Sequence, residues 1–292
     1  MNTQKWLAKN AQSLEGKTVA LTGSTGGIGG ALCRHLAGLG AGLILLDRDP
    51  QKACARVAQL KKEHPQIKVK TVPLDLEDEK SVSAACERME NEKIDVFIHN
   101  AGAYSIPRHK CKSGFDNVFM INFASPYYMI NRLLPTFRRF GTKVIAVGSI
   151  AHNYSKTDPQ DVDFSSRNAA SRVYGNAKRY LMFALWELFE GETETSLGIA
   201  HPGITFTNIT AHYPKLIFAI IKHPMKIIFM KPEAAALSIM AAVYEYCEYH
   251  SWIGPRIFGI WGKPKKVRLK TCSLEESRQI FDSAKEVLEK YK

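Results

Sequence analysis

Short runs of β-branched and aliphatic residues alternate along the chain with longer stretches whose apolar positions recur at helical spacing. KTVALT (17–22), GLILLD (42–47), IKVKTVPL (67–74), IDVFIH (94–99), TKVIAVGS (142–149), TSLGIAH (195–201) and RIFGI (256–260) read as strands. Between them lie GIGGALCRHLAGLG, DPQKACARVAQLKKEH, DEKSVSAACERMENEK, the long FDNVFMINFASPYYMINRLLPTFRRF, SRVYGNAKRYLMFALWELFEG and KPEAAALSIMAAVYEYCEYH, all of helical period. That rhythm predicts an α/β protein with a doubly wound, mostly parallel sheet and helices on both faces. Local punctuation agrees: Asp49 before Pro50 suits an N-cap followed by proline in the first turn, and Ser273 with Glu276 forms a capping box for a last helix. No linker or repeat interrupts the pattern, so residues 1–292 are expected to form one domain, with a basic segment and helix at 263–292.

Composition narrows this picture. An apolar fraction of 45% belongs to a globular chain with a full core. The net charge of +12 admits nucleic acid, acidic lipid or a phosphorylated cofactor as partners. Its densest run, KPKKVRLK (263–270), has no interleaved aromatics and no helix-turn-helix or zinc spacing, so it reads as solvated surface and nucleic acid is set aside. Six scattered cysteines lack metal-ligand spacing, which implies buried reduced thiols and no metal. The start of the chain lacks a signal-peptide apolar region, and no stretch approaches the ~18 apolar residues of a spanning helix, so a cytoplasmic protein is expected.

The chemistry begins directly after the first strand. In TGSTGGIG (22–29), Gly23, Gly27 and Gly29 stand between a strand and a helix, where the backbone must turn tightly and a helix N-terminus offers N–H groups to a pyrophosphate. Asp47 follows at the end of the second strand, where a ribose diol is read. Farther on, Tyr174 and Lys178 lie one helical turn apart. A tyrosine, with pKa near ~10, is a poor base at neutral pH unless a cation stabilises its phenolate, and Lys178 on the same helical face is such a cation.

In order along the chain, the glycine pattern, Asp75-Leu76 after the third strand, HNAG (99–102) after the fourth, Asn122 in MINF, Ser149, Tyr174, Lys178 and HPG (201–203) followed by Thr207 resemble the short-chain dehydrogenase/reductase family over about residues 16–262. His99 departs from the family's usual asparagine. The long interval between Ser149 and Tyr174, and the insertion after HPG, resemble the retinol-dehydrogenase-like branch. The resemblance implies a Rossmann-type domain that binds a nicotinamide dinucleotide through Gly23, Ser24, Thr25, Gly27, Ile28, Gly29, Asp47, Arg48, Asp75, Leu76, Asn100, Ala101, Gly102, Tyr174, Lys178, Pro202, Gly203, Ile204 and Thr207. It implies Tyr174 as acid/base, Lys178 as its tuner and ribose holder, Ser149 as donor to the substrate oxygen, and Asn122 as holder of a relay water. His152 and Tyr154 read as polar pocket walls, with a general-base role the alternative for the histidine, and His201 as a structural polar residue near the cofactor. Asp47 favours NAD, whereas Arg48 beside it could pair with the 2′-phosphate of NADP.

By the same resemblance, residues 204–231 form a substrate lid. Their apolar positions, Phe218 and Phe229 among them, alternate with Lys215, Lys222, Lys226 and Lys231 around Pro224, which predicts two short amphipathic helices. Such a lid suits a hydrophobic secondary alcohol or ketone, of steroid, bile acid or retinoid kind, and could rest on an anionic membrane surface. The alternatives are a carbonyl reductase of smaller substrates or a dinucleotide sensor without turnover; a degenerate sensor is expected to have lost Tyr174 or Lys178, and both are present. A homo-oligomer packed through the long helices carrying Asn122 and Tyr174 is also open, unless the C-terminal helix (273–291) covers that surface.

Overall fold

The computed structural model describes residues 2–205 and 229–291. Its elements are α1 (Thr3–Asn10), β1 (Thr18–Thr22), α2 (Gly27–Gly38), β2 (Gly42–Asp47), α3 (Pro50–Glu63), β3 (Val69–Pro73), α4 (Glu79–Met89), β4 (Val96–His99), α5 (Asn117–Phe119), α6 (Ser125–Phe140), β5 (Lys143–Val147), α7 (Ala170–Leu188), β6 (Ser196–Ala200), α8 (Pro232–Tyr244), β7 (Ser251–Ile257), β8 (Trp261–Arg268) and α9 (Leu274–Lys290). The eight strands form one sheet in the order β3-β2-β1-β4-β5-β6-β7-β8, parallel except for the last pair. The order reverses direction between β1 and β4, and an open α/β sheet has its ligand crevice beyond the carboxyl ends of the strands at such a point.

β1, β2, β4, β5 and β6 are nearly all buried because helices cover both faces, which explains their continuous apolar runs, whereas β3 at the sheet edge buries only Val72 fully. The predicted caps form in part. Asp49 accepts from the N–H groups of Gln51 and Lys52 at 3.0 Å, and Ser273 Oγ accepts from Glu276 N at 3.1 Å. The Glu276 carboxylate, though, goes to Arg179 at 2.6 Å and leaves the box half made.

The C-terminal third corrects the sequence reading. The strand expected at 256–260 is Ser251–Ile257, and residues 258–260 are a turn. The run KPKKVRLK is largely the antiparallel edge strand β8, which pairs Trp252 with Val267 and Gly254 with Lys265. Lysines on an edge strand discourage further pairing, so the charge that hides the strand in the sequence also fits its place. The helix Thr3–Asn10, capped by Asn2, was not expected. Of the thiols, Cys54 is exposed and Cys111 half-buried, against the expectation that all are buried; all six cysteines are free. Helix α9 lies against α7, and Tyr291 stacks on Tyr128 of α6 at 4.3 Å, so the C-terminal helix does cover part of the face formed by the long helices. Among the described residues no helix is long and apolar enough to cross a membrane.

Candidate active site

The glycine-rich loop is built for close approach. Gly23 has φ 73°, and a Cβ on Gly29 would lie 2.0 Å from the Gly23 carbonyl oxygen, so a side chain at either position would force the loop apart. A groove beside it is lined by Gly23, Thr25, Gly27, Ile28, Gly29, Asp47, Arg48, Asp75, Leu76, Asn100, Ala101 and Gly102, together with Ala103 and Ile121, which the sequence reading missed. Ser24 does not line it: the side chain is buried, and its Oγ donates to Asp47 Oδ2 at 2.5 Å. Thr25 donates to Asp47 Oδ1 from both N (3.1 Å) and Oγ1 (3.2 Å). The carboxylate therefore clamps the loop to the end of β2 and, with acceptor sites still in hand, faces the groove.

Arg48 is largely exposed and lies 3.5 Å from Glu77, whose other oxygen is 3.1 Å from His109 Nε2. Glu77, His109 and Cys111 bring a carboxylate, an imidazole and a thiol within 4.8 Å of one another. They do not make a convincing metal centre. Asn117 Nδ2 approaches His109 Nδ1 at 3.1 Å as a donor, which leaves the proton on Nε2, where a metal would need the lone pair.

Beyond β4 the packing is tight. Thr22 Oγ1 accepts from Asn100 N and Ala101 N, both at 3.0 Å, so its own proton goes to His99 Nδ1 at 3.1 Å. His99 is then the Nε2–H tautomer. Among the described residues that nitrogen is buried with no partner, and desolvation, aided by the Lys178 charge, pushes the imidazole pKa down to about 3.

Asn122 sits in a π-helical turn, Met120–Ala124, between α5 and α6. Its Nδ2 donates to Ala103 O and Val118 O at 2.8 Å, and Oδ1 accepts from Ala103 N at 3.2 Å. The side chain thus holds the loop after β4 in place. Pro126, four residues on, has no N–H to close an α-helical bond on the Asn122 carbonyl, which suits a π distortion at this point.

Ser149 follows the carboxyl end of β5, and Tyr174 and Lys178 project from α7. The Tyr174 hydroxyl hydrogen-bonds Ser149, which partly offsets the burial that raises its pKa to about 12. Tyr104 meets the Tyr174 ring edge-on at 5.2 Å. Lys178 is 2% exposed, its Nζ donates to Val147 O at 3.0 Å and lies 5.8 Å from the centre of the Tyr174 ring, and desolvation lowers its pKa to about 8. No carboxylate pairs with it among the described residues. The four residues predicted as catalytic are therefore brought to one end of the sheet beside the groove.

Two histidines wall this end. His152 is held by Ser149 O (2.7 Å) and Thr271 Oγ1 (2.8 Å), His201 by Gly259 O (2.9 Å), and burial keeps both pKa values down near about 4. Pro202, Gly203 and Ile204 follow β6, with Ile204 N donating to Ile260 O at 3.2 Å. Sequence reasoning missed Arg179, which is 3% exposed and joins Glu276 and the Thr271 and His152 carbonyls, tying the C-terminal segment to the turn after Ser149. In the sequence nothing but its place beside Lys178 marks it. Thr207 and most of the expected lid, including Phe218, Lys222 and Lys226, lie outside the described residues.

The model of the short chain dehydrogenase family matches residues 17–158. Retinol dehydrogenase 14 of Mus musculus is 30% identical over 217 residues, which span 68% of this chain and 64% of the relative, just under two thirds of its length. Among solved structures, an uncharacterised protein from Mycobacterium Paratuberculosis covers 95% of each chain at a TM-score of 0.76 and 23% identity. A short-chain dehydrogenase from Sphingobium yanoikuyae, solved in complex with NADPH, covers 77% of this chain and 83% of its own at a TM-score of 0.59 and 21% identity. This chain belongs to the short-chain dehydrogenase/reductase family, on its retinol-dehydrogenase-like branch. Members of that family are NAD(P)-dependent oxidoreductases acting on CH–OH groups, so a nicotinamide dinucleotide is the cofactor to fit to the groove.

Proposed function

We propose that the protein interconverts a hydrophobic secondary alcohol and its ketone, with Tyr174 as acid/base. The observation that carries this is the convergence of Tyr174, Ser149 and Lys178 beside a groove whose glycine loop closes against Asp47. The groove fits a dinucleotide: the side-chain-free approach at Gly23 and Gly29 faces the N-terminus of α2, and Asp47 stands where a ribose hydroxyl needs an acceptor. Bound there, the nicotinamide supplies or accepts the hydride. Tyr174 exchanges the hydroxyl proton of the substrate, and Ser149 donates a hydrogen bond to the same oxygen as charge gathers on it. Lys178, when charged, lowers the cost of the phenolate. With Tyr174 raised to about 12, the resting phenol is protonated and ready to donate, which suits carbonyl reduction; oxidation leans on the Lys178 charge.

NAD is the favoured form. Asp47 reads the diol, while Glu77 engages Arg48 and places a negative charge near the position a 2′-phosphate needs. Support for a lipophilic substrate comes from the retinol dehydrogenase relative and from the apolar residues expected in the lid. An oligomer through the long helices is disfavoured by α9 and Tyr291, which occupy part of that face. The test is a panel of steroid, retinoid and short-chain alcohols and ketones, assayed with both dinucleotides through the absorbance of reduced nicotinamide. Turnover of bulky secondary alcohols or ketones with kcat/KM well above that for short ones is the expected result. Efficient turnover of only the short ones would overturn the substrate class.

A further inference from the structure

The turn joining β7 to β8 and the first residue of β8 display two aromatic side chains to solvent: Phe258 is 85% exposed and Trp261 51% exposed. Phe258 has φ 49°, a conformation a bulky residue seldom adopts, although glycine stands next to it at 259. The ring is held outward on a backbone that a smaller residue would occupy with less strain.

Alongside lies a groove between α1 and the hairpin, floored by Trp6, Ile257 and Trp261. Lys5, Lys9, Lys231, Arg256 and Lys263 rim it, and none of the five has an ion pair among the described residues. The groove's one acidic residue, Glu233, is taken by Arg34 at 2.7 Å. Trp261 among these cations, with Phe258 exposed two residues from Arg256, matches the two requirements of an anionic bilayer surface, an apolar body at headgroup depth and positive charge outside it. A second copy packed symmetrically on this face would set cation against cation.

We propose that the β7–β8 turn and α1 form a docking surface for anionic lipid. The same turn touches the substrate end of the site: Gly259 O accepts from His201, Ile260 O accepts from Ile204 N, and Gly259 lies close to Ile150, next to Ser149. Docking here turns the catalytic end toward the membrane. The benefit for a lipophilic substrate rests on the function proposed above, but docking itself does not.

The experiment is vesicle flotation of the full chain with phosphatidylcholine alone or mixed with phosphatidylserine, at low and high salt. Phe258→Gly/Trp261→Ser removes the aromatics, and Arg256→Gln/Lys263→Gln removes charge. Melting temperature and sedimentation are followed alongside, so no readout needs turnover. The expected result is binding to the anionic vesicles only, weakened by salt and reduced on the order of tenfold by either variant with the fold intact. Equal binding to neutral vesicles overturns the proposal. So does loss with the charge variant alone, which is adsorption to any polyanion, nucleic acid included. A change in oligomeric state with vesicle binding unaffected assigns the face to a second copy and overturns it as well.

Discussion

Replacing Lys178 with methionine is expected to stabilise the cofactor-free protein while it destroys the enzyme. The amine is buried, bonded to Val147 O, and paired with no carboxylate among the described residues, and burial lowers its pKa from 10.5 to about 8. At pH 7 the side chain is charged in both folded and unfolded chains, and the difference in pKa means that burying the charge costs about 3 kcal/mol. Methionine has similar bulk and no charge to bury. Against this, the Val147 carbonyl loses a donor, at about 1–2 kcal/mol. The net gain is about 1–2 kcal/mol, or a rise in Tm of roughly 2–6 °C for a domain of this size. The pH dependence gives the sharper signature. A lowered lysine pKa means that the unfolded chain binds more protons between pH 8 and 10.5, so the unmodified protein gains stability as pH rises through that window. Its deficit relative to Lys178→Met should therefore shrink from pH 8 to 10.5. Denaturant titrations of both proteins at pH 7, 9 and about 10.5 read this directly. A variant less stable at pH 7, or a gap that does not change with pH, would refute the reasoning.

Cofactor choice gives two further expectations. Asp47→Ala should move the ratio of specificity constants toward NADP, and Glu77→Gln should do the same by a few-fold, since a partly exposed ion pair is worth about 1 kcal/mol or less; an unchanged ratio in both would remove these carboxylates from discrimination. Acid should destabilise the protein well before its carboxylates are protonated. His99, His152 and His201 are buried neutral with pKa values of about 3, 4 and 4, so below the ordinary value of 6.5 the unfolded chain binds protons that the folded one refuses. Stability should fall steeply from pH 6.5 toward 4, by about 3 kcal/mol per histidine at full effect, and His201→Gln should flatten the slope of Tm against pH.

The central strands β1, β2, β4, β5 and β6 were legible because they are covered on both faces and their runs are almost wholly apolar. The placement of the candidate site residues was legible for a related reason: open α/β sheets gather functional groups at strand ends, and Asp47, Asn100 and Ser149 fall there in sequence. What escaped was structure carried by polar residues. β8 reads as a charged surface because an edge strand has one open side, and β7 contains Gly254 and Pro255, residues that demote a strand assignment. The π turn around Asn122 shows no period of its own, and only Pro126 hints at it. Arg179 was hidden because its burial is made by Glu276 and Thr271, nearly a hundred residues away.

The most direct measurement pairs turnover with dinucleotide binding in the Tyr174→Phe variant. Tyr174 is half-buried, its ring packs on Tyr104, and its hydroxyl bonds Ser149, so phenylalanine keeps the packing and removes only the proton-transfer group. The expected result is loss of turnover on the best substrate of the panel by several orders of magnitude, with NAD affinity within about threefold of the unmodified protein. Substantial residual turnover, or a loss of NAD binding as large as the loss of rate, would contradict the assignment of Tyr174 as the acid/base.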